Sequence, residues 1–191
     1  MEISALKNQI KKKLGKSYIE VGKYSYGTQN ITIHFQQSSL IIGKFCSIAD
    51  NVHVFLGGDH STRYLSTFPF GHTEETQHLS EPIANHPVVK GDVIIGNDVW
   101  IGSGVTLMSG VSIGDGAVIA ARSHVVSNVP PYSVYGGNPA RFIKLRFSEE
   151  VINSLLELKW WNFPDDRITR AVPFLTSENF NLDNLRKSLL E

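Results

Sequence analysis

The chain of 191 residues has one cysteine, Cys46, and two methionines. A single thiol closes no intramolecular disulfide, and no cysteine-rich zinc module can be built from it. A reducing compartment, the cytoplasm, is the expected setting. Charge is also scarce: Asp, Glu, Lys and Arg make up 19% of the chain, and 18 basic residues balance 18 acidic ones. Such a chain has no global field to attract nucleic acid or an anionic membrane, so neither is expected as a partner. No apolar run approaches the ~18 residues that a membrane-spanning helix needs. Near the N-terminus Lys7, Lys11, Lys12 and Lys13 break any run of the signal-peptide kind. Ile3, Leu6, Ile10 and Leu14 recur there at helical spacing, which predicts a short amphipathic helix over residues 1–15, ending at Gly15.

What is present in quantity is 41% apolar residues and 16 glycines, and they are ordered with a period. Ile95, Ile101, Leu107, Ile113, Ile119 and Val125 stand six apart. Four positions after each comes Val99, Val105, Val111, Ala117, Ser123 or Val129. A six-residue period does not fit a helix of 3.6 residues per turn. It fits a short strand and a tight turn, repeated as the flat faces of a prism. The aliphatic residue points inward on every face, and parallel ladders between coils satisfy the backbone. Ile42–Ser47 and Ile48–His53 keep the same phase, and Val21–Tyr26 is a less regular first repeat. Residues 27–41 depart from the rhythm, although Ile31–Phe35 alternates like a strand. Cys46 falls in an inward slot, where a small buried residue is expected rather than a reactive thiol.

The fold class expected is mainly β: a parallel β-helix of hexapeptide repeats over residues 1–146, a long inserted loop over 55–88, and a C-terminal α-helical extension over 147–191. The loop holds Gly57-Gly58-Asp59-His60, the cluster Phe68-Pro69-Phe70 and further histidines. Loops of that length on a regular scaffold are usually functional. Pro130-Pro131 and Gly136-Gly137-Asn138-Pro139 mark the end of the coil. Ser148 with Glu149 and Glu150 reads as a helix start, Val151, Ile152, Leu155, Leu156 and Leu158 as its apolar face, and Pro164 as its end. Residues 165–191 have the pattern of one or two further short helices.

On these residues the chain resembles the hexapeptide-repeat acyltransferases, and more closely their xenobiotic acetyltransferase branch, which includes chloramphenicol, streptogramin and many sugar acetyltransferases. The resemblance is carried by Gly22-Lys23-Tyr24-Ser25-Tyr26, Ile42-Gly43-Lys44-Phe45-Cys46-Ser47-Ile48, Gly58-Asp59-His60, Ser66-Thr67-Phe68-Pro69-Phe70, Ile95-Gly96-Asn97-Asp98-Val99-Trp100-Ile101-Gly102, Gly136-Gly137-Asn138-Pro139-Ala140 and Lys159-Trp160-Trp161, in family order. It implies a left-handed coil, a homotrimer with active sites between subunits, and transfer of an acetyl group from acetyl-CoA to a hydroxyl or amine. The expected acceptor is a sugar of a polysaccharide or a nucleotide-linked precursor, with an antibiotic as the alternative. No metal is required, because CoA thiolate is an adequate leaving group.

The family's catalytic histidine matches His60, whose imidazole suits a general base. Asp59 stands beside it, and His86 is the next histidine expected to line the site. Trp100 either lines the site or packs between subunits. Tyr24, Tyr26 and Phe68 either line the acceptor pocket or pack in the core. Gly102, Ala120 and Ala121 leave room for the pantetheine arm, and Gly102 or a neighbouring coil amide is the expected oxyanion donor. Asn138, Pro139, Arg141 and Lys144 lie where the adenine end of CoA is expected. There the two cations either meet phosphates or are ordinary solvated charges. The family often has Arg directly after its histidine; here Ser61-Thr62-Arg63 follows. Two remote readings are a zinc carbonic anhydrase, for which no paired histidines stand at the needed spacing, and a non-catalytic structural protein.

Overall fold

The computed structural model describes residues 12–14 and 17–191. The hexapeptides wind into a coil whose three flat faces are three sheets. The first face contains β1 (Lys12–Leu14), β2 (Ser17–Val21), β4 (Leu40–Ile42), β7 (Val93–Ile95) and β10 (Ser112–Ile113). The second contains β5 (Ser47–Ile48), β8 (Trp100–Ile101), β11 (Val118–Ile119), β13 (Ser133–Gly137) and β14 (Ala140–Leu145). The third contains β3 (Ile31–His34), β6 (Val52–Phe55), β9 (Thr106–Leu107) and β12 (His124–Val125).

The register confirms the period. Ile95 pairs with Ile113, Ile101 with Ile119 and Leu107 with Val125, all in parallel. Each partner lies three hexapeptides further on, so one coil is three repeats and each face gains one strand per turn. The aliphatic residue that begins each repeat is buried: Ile95, Ile101, Leu107, Ile113, Ile119 and Val125 are all at most 2% exposed. Each such side chain contributes about 1.5–3 kcal/mol by leaving water, so the column they form is the main source of cohesion. Cys46 belongs to it. Its thiol lies 3.1 Å from the Gly96 carbonyl, and burial pushes its pKa up to about 11.

Antiparallel pairs stand at both ends of the coil: β1 on β2, and the β13–β14 hairpin. The first corrects the expected N-terminal helix at residues 12–14. Lys12–Leu14 are extended, because their backbone groups pair with Ser17–Ile19, and residues 1–11 lie outside the described residues.

Beyond the coil come α1 (Glu149–Leu158), α2 (Asp165–Leu175) and α3 (Leu182–Leu190). Glu149 and Glu150 occupy the first turn of α1, where the helix dipole favours acids. Lys159, in the left-handed region, ends it, and Pro164 precedes α2 rather than closing α1. Trp160, Trp161, Ile152, Leu155, Ile168, Leu185 and Leu189 form a second core that reaches the coil through Tyr132 and Phe45. Polar contacts fasten the two: Lys23 Nζ and the Tyr24 hydroxyl both donate to Asp165, and Lys44 Nζ donates to the Trp161 carbonyl and Asn162 Oδ1. None of the described helices is long and apolar enough to cross a membrane.

Candidate functional site

Between β6 and β7, residues 56–92 form turns and bends in place of helix or strand. The segment leaves the coil through Gly57 and Gly58, both at positive φ. Gly58 is packed so closely under the Phe35 ring that a Cβ would collide with it, and glycine alone meets both demands at no steric cost. Asp59 closes the neck of the segment. Its N–H donates to the Val88 carbonyl and its carbonyl accepts from Val88 N–H, at 3.3 and 2.7 Å. The Asp59 carboxylate forms an ion pair with Lys90 at 2.9 Å.

His60 follows at once, exposed to solvent. Its Nδ1 lies 2.7 Å from the Thr67 carbonyl oxygen. A carbonyl only accepts, so Nδ1 is the donor, and the tautomer this bond selects has its lone pair on Nε2. The His86 ring meets His60 edge-on at 4.7 Å between centroids, and His72 meets His86 at 4.8 Å. His72 Nε2 donates to the Ile83 carbonyl at 2.9 Å, which ties the two limbs of the segment together. Partial burial, followed by the neighbouring imidazoles of His60 and His72, lowers the His86 pKa. Phe68 and Phe70 pack ring on ring at 5.0 Å, yet each stays more than a third exposed, as does Tyr64. The segment therefore offers one oriented imidazole together with partly exposed aromatic side chains.

Asp59, His60, Phe68 and His86 thus stand together, while the other residues singled out from the sequence lie elsewhere on the chain. Trp100 projects from the second face at 56% exposure, in register with Ser47, to which Tyr26 is bridged on the far side. The His60 segment departs from the third face and returns to the first. Gly102 and Ala121 stack at the corner after β8 and β11, where a Cβ on Gly102 would strike the Ala121 backbone. The Gly102 N–H donates to the Ile119 carbonyl at 2.8 Å and the Ala120 N–H to the Tyr135 carbonyl at 2.9 Å. Those two amides donate within the coil ladder, so of the expected oxyanion donors, Gly102 or a neighbouring coil amide, Gly102 is already bonded. Asn138 and Pro139 form the exposed turn of the β13–β14 hairpin, with Arg141 and Lys144 exposed on its second strand. Tyr24 is turned the other way, packed on Phe45 at 4.9 Å and bonded to Asp165.

Sequence reasoning did not single out Thr67, whose backbone carbonyl orients His60, because a main-chain acceptor leaves no mark on residue identity. Nor did it single out Lys90, His72 or Gln37, whose Oε1 accepts from the Gly58 N–H at 3.1 Å. Among the described residues no group of three or more His, Cys, Asp or Glu side chains is arranged to hold a metal ion.

Residues 92–127 match the family described as bacterial transferase hexapeptide (six repeats). A probable macrolide acetyltransferase of Lysinibacillus sphaericus is 49% identical over 152 residues, covering 78% of this chain and 84% of the relative. A chloramphenicol acetyltransferase of Agrobacterium fabrum is 40% identical over 173 residues, covering 83% and 82%. A virginiamycin A acetyltransferase of Staphylococcus aureus is 38% identical over 192 residues, covering 95% and 88%. Among solved structures, a hexapeptide-repeat acetyltransferase from Vibrio cholerae superposes with a TM-score of 0.50 at 26% identity, covering 68% of this chain and 64% of that one. With the ladder of hexapeptides, this shared identity over most of the sequence shows that the chain belongs to the hexapeptide-repeat acetyltransferases, in the branch of the chloramphenicol, macrolide and virginiamycin enzymes.

Proposed function

We infer that the chain transfers the acetyl group of acetyl-CoA to a hydroxyl of an antibiotic-class acceptor, with His60 as general base. The observation that carries the reading is the bond from His60 Nδ1 to the Thr67 carbonyl, which selects the tautomer whose Nε2 lone pair can accept a proton. The acceptor hydroxyl gives its proton to Nε2 as its oxygen forms a bond to the thioester carbonyl carbon. The tetrahedral intermediate then collapses, the C–S bond breaks, and the CoA thiolate takes the proton back from the imidazolium. Both substrates are bound at once, and no covalent enzyme intermediate or metal takes part.

The acceptor is read as an antibiotic in preference to the sugar expected from the sequence, because each of the curated relatives above carries an antibiotic in its name. The exposed Tyr64, Phe68 and Phe70, on the same segment as His60, suit a large, partly apolar molecule. The coil is taken as left-handed, as in the family. The active unit is taken as a trimer in the cytoplasm, with the loop of one subunit facing the second face and hairpin of the next. Trp100, Tyr26, Phe142 and Ile143, each more than half exposed on the isolated chain, support a partner there. In that arrangement Gly102, Ala120 and Ala121 border the pantetheine arm, and Asn138, Pro139, Arg141 and Lys144 the nucleotide end.

A panel of chloramphenicol, a macrolide, virginiamycin and a set of hexoses and nucleotide-sugars, each with acetyl-CoA and a thiol reagent, tests the acceptor class. Thiol release with an antibiotic is the expected result. Release confined to the sugars returns the reading to sugar modification.

A further inference from the structure

The coil is irregular at one corner, and the irregularity lies under the His60 segment. In the regular part, the step from the inward residue of the third face to that of the first is six positions, Leu107 to Ile113. One coil earlier, between Val54 and Ile95, the whole loop is inserted at this same corner. In the first coil the step runs from Ile33 to Ile42, nine positions, although Ile33 pairs in register with Val54 and Ile42 with Ile95. Three extra residues are therefore accommodated at the corner next to the point where the long segment departs.

The added length falls within residues 35–39, which include Phe35, Gln36 and Gln37. Phe35 sits at φ 55°, a conformation unusual for a bulky non-glycine residue, and its ring is 55% exposed to solvent even though it covers Gly58. The Gln37 N–H is shared between the Phe35 carbonyl at 2.9 Å and the Leu56 carbonyl at 3.2 Å, while Gln37 Oε1 accepts from the Gly58 N–H at 3.1 Å. A Cβ on Gly57 would strike that same Oε1. Ser38 Oγ donates to the Leu56 carbonyl at 3.2 Å. The expanded corner thus bonds Leu56 and Gly58 and packs against Gly57 between them, and His60 is two positions further on. The hexapeptide rhythm gives no reason for a three-residue expansion here. Nor does folding of the coil, since Phe35 and Gln37 are both exposed and add nothing to its buried column.

We propose that the expanded corner is a pedestal for the catalytic loop: Gln37, aided by Phe35, is a positioning residue that fixes the Gly57–Gly58 turn and through it the place of His60. A short glycine turn has many accessible conformations when free. A misplacement of about 1 Å in a catalytic group costs on the order of 10²-fold in rate, so a single acceptor bond on this turn has leverage. This rests on His60 being the base.

The test compares Gln37→Leu and Gln37→Glu in the full chain, using the panel acceptor that the wild-type protein turns over. Glu keeps an oxygen to accept from Gly58, whereas Leu keeps only the volume. For Gln37→Leu we expect kcat to fall about tenfold or more, KM for acetyl-CoA to stay within about twofold, thermal unfolding to be unchanged, and hydrogen exchange at the Gly58 amide to accelerate. Gln37→Glu should recover most of kcat and slow that exchange again. Wild-type kcat in Gln37→Leu would overturn the proposal, as would a fall in kcat matched by lost thermal stability and not rescued by Glu. His60→Ala separates the two ideas. If it is inactive while Gln37→Leu is fully active, only the pedestal fails; if it is fully active, the base assignment itself fails.

Discussion

The coil register makes a sharp prediction at two adjacent isoleucines in β7. Ile95 is 2% exposed and lies between Ile42 and Ile113, its parallel partners on either side. Ile94, one residue earlier, is 41% exposed on the outside of the same strand. Replacing Ile95 by Ala deletes three buried carbons, about 2.4 kcal/mol at ~0.8 kcal/mol each. The neighbours are held in ladders above and below and cannot collapse inward, so a cavity term adds about 1 kcal/mol or more. The expected cost of Ile95→Ala is therefore roughly 3–4 kcal/mol, against about 0.5 kcal/mol or less for Ile94→Ala. Urea unfolding followed by circular dichroism reads both, as a shift of midpoint at constant slope. A one-residue slip of the strand would exchange the two side chains. Equal costs, or the larger cost at Ile94 at every protein concentration, would refute the register. A cost at Ile94 that fades as the protein is diluted would instead report a subunit interface over the first face.

Cys46 should behave as core. With burial raising its pKa to about 11, the thiolate fraction at pH 8 is about one in a thousand, so a thiol reagent should label native protein negligibly and label it fully in urea; fast native labelling would contradict its place in the column. His34, whose Nε2 lies 3.0 Å from His53 Nδ1, has its pKa lowered by burial first and by the His53 charge second. A neutral folded imidazole that protonates on unfolding contributes stability above the ordinary histidine pKa, and this is lost as pH falls below it. Unfolding midpoints at pH 7.5 and pH 5.5 should therefore differ less in His34→Gln than in wild type, and an unchanged difference would remove this pair as the source.

The coil was legible in the sequence because its rule is local and repeated: an aliphatic residue every six positions, with Ile95, Ile101 and Leu107 each found buried in phase. After Pro164 the sequence pattern pointed to one or two further helices, and the chain forms two, α2 and α3. The N-terminal strand was not, since Lys12–Leu14 are extended only by pairing with residues that follow them, and helical spacing of Leu14 with its neighbours pointed elsewhere. Of the candidate site, the motif around His60 could be read, along with its glycines. The partners that orient it could not: the Thr67 carbonyl belongs to the backbone, and Gln37 reaches Gly58 across a coil turn from a stretch whose only sequence mark was a broken rhythm. Gly102 illustrates the opposite failure, a small residue in the right motif whose amide is already committed to the Ile119 carbonyl. Periodicity reports what packs inward; it says little about which outward groups remain unbonded.

The most direct test of the central claim is the rate of CoA thiol release by wild type and by His60→Ala with the same acceptor at neutral pH. A general base contributes typically 10²–10⁴-fold, and His60 is exposed and outside both cores, so the variant should fold as wild type and lose about 10² or more in kcat. A His60→Ala protein that releases CoA at the wild-type rate would contradict the account.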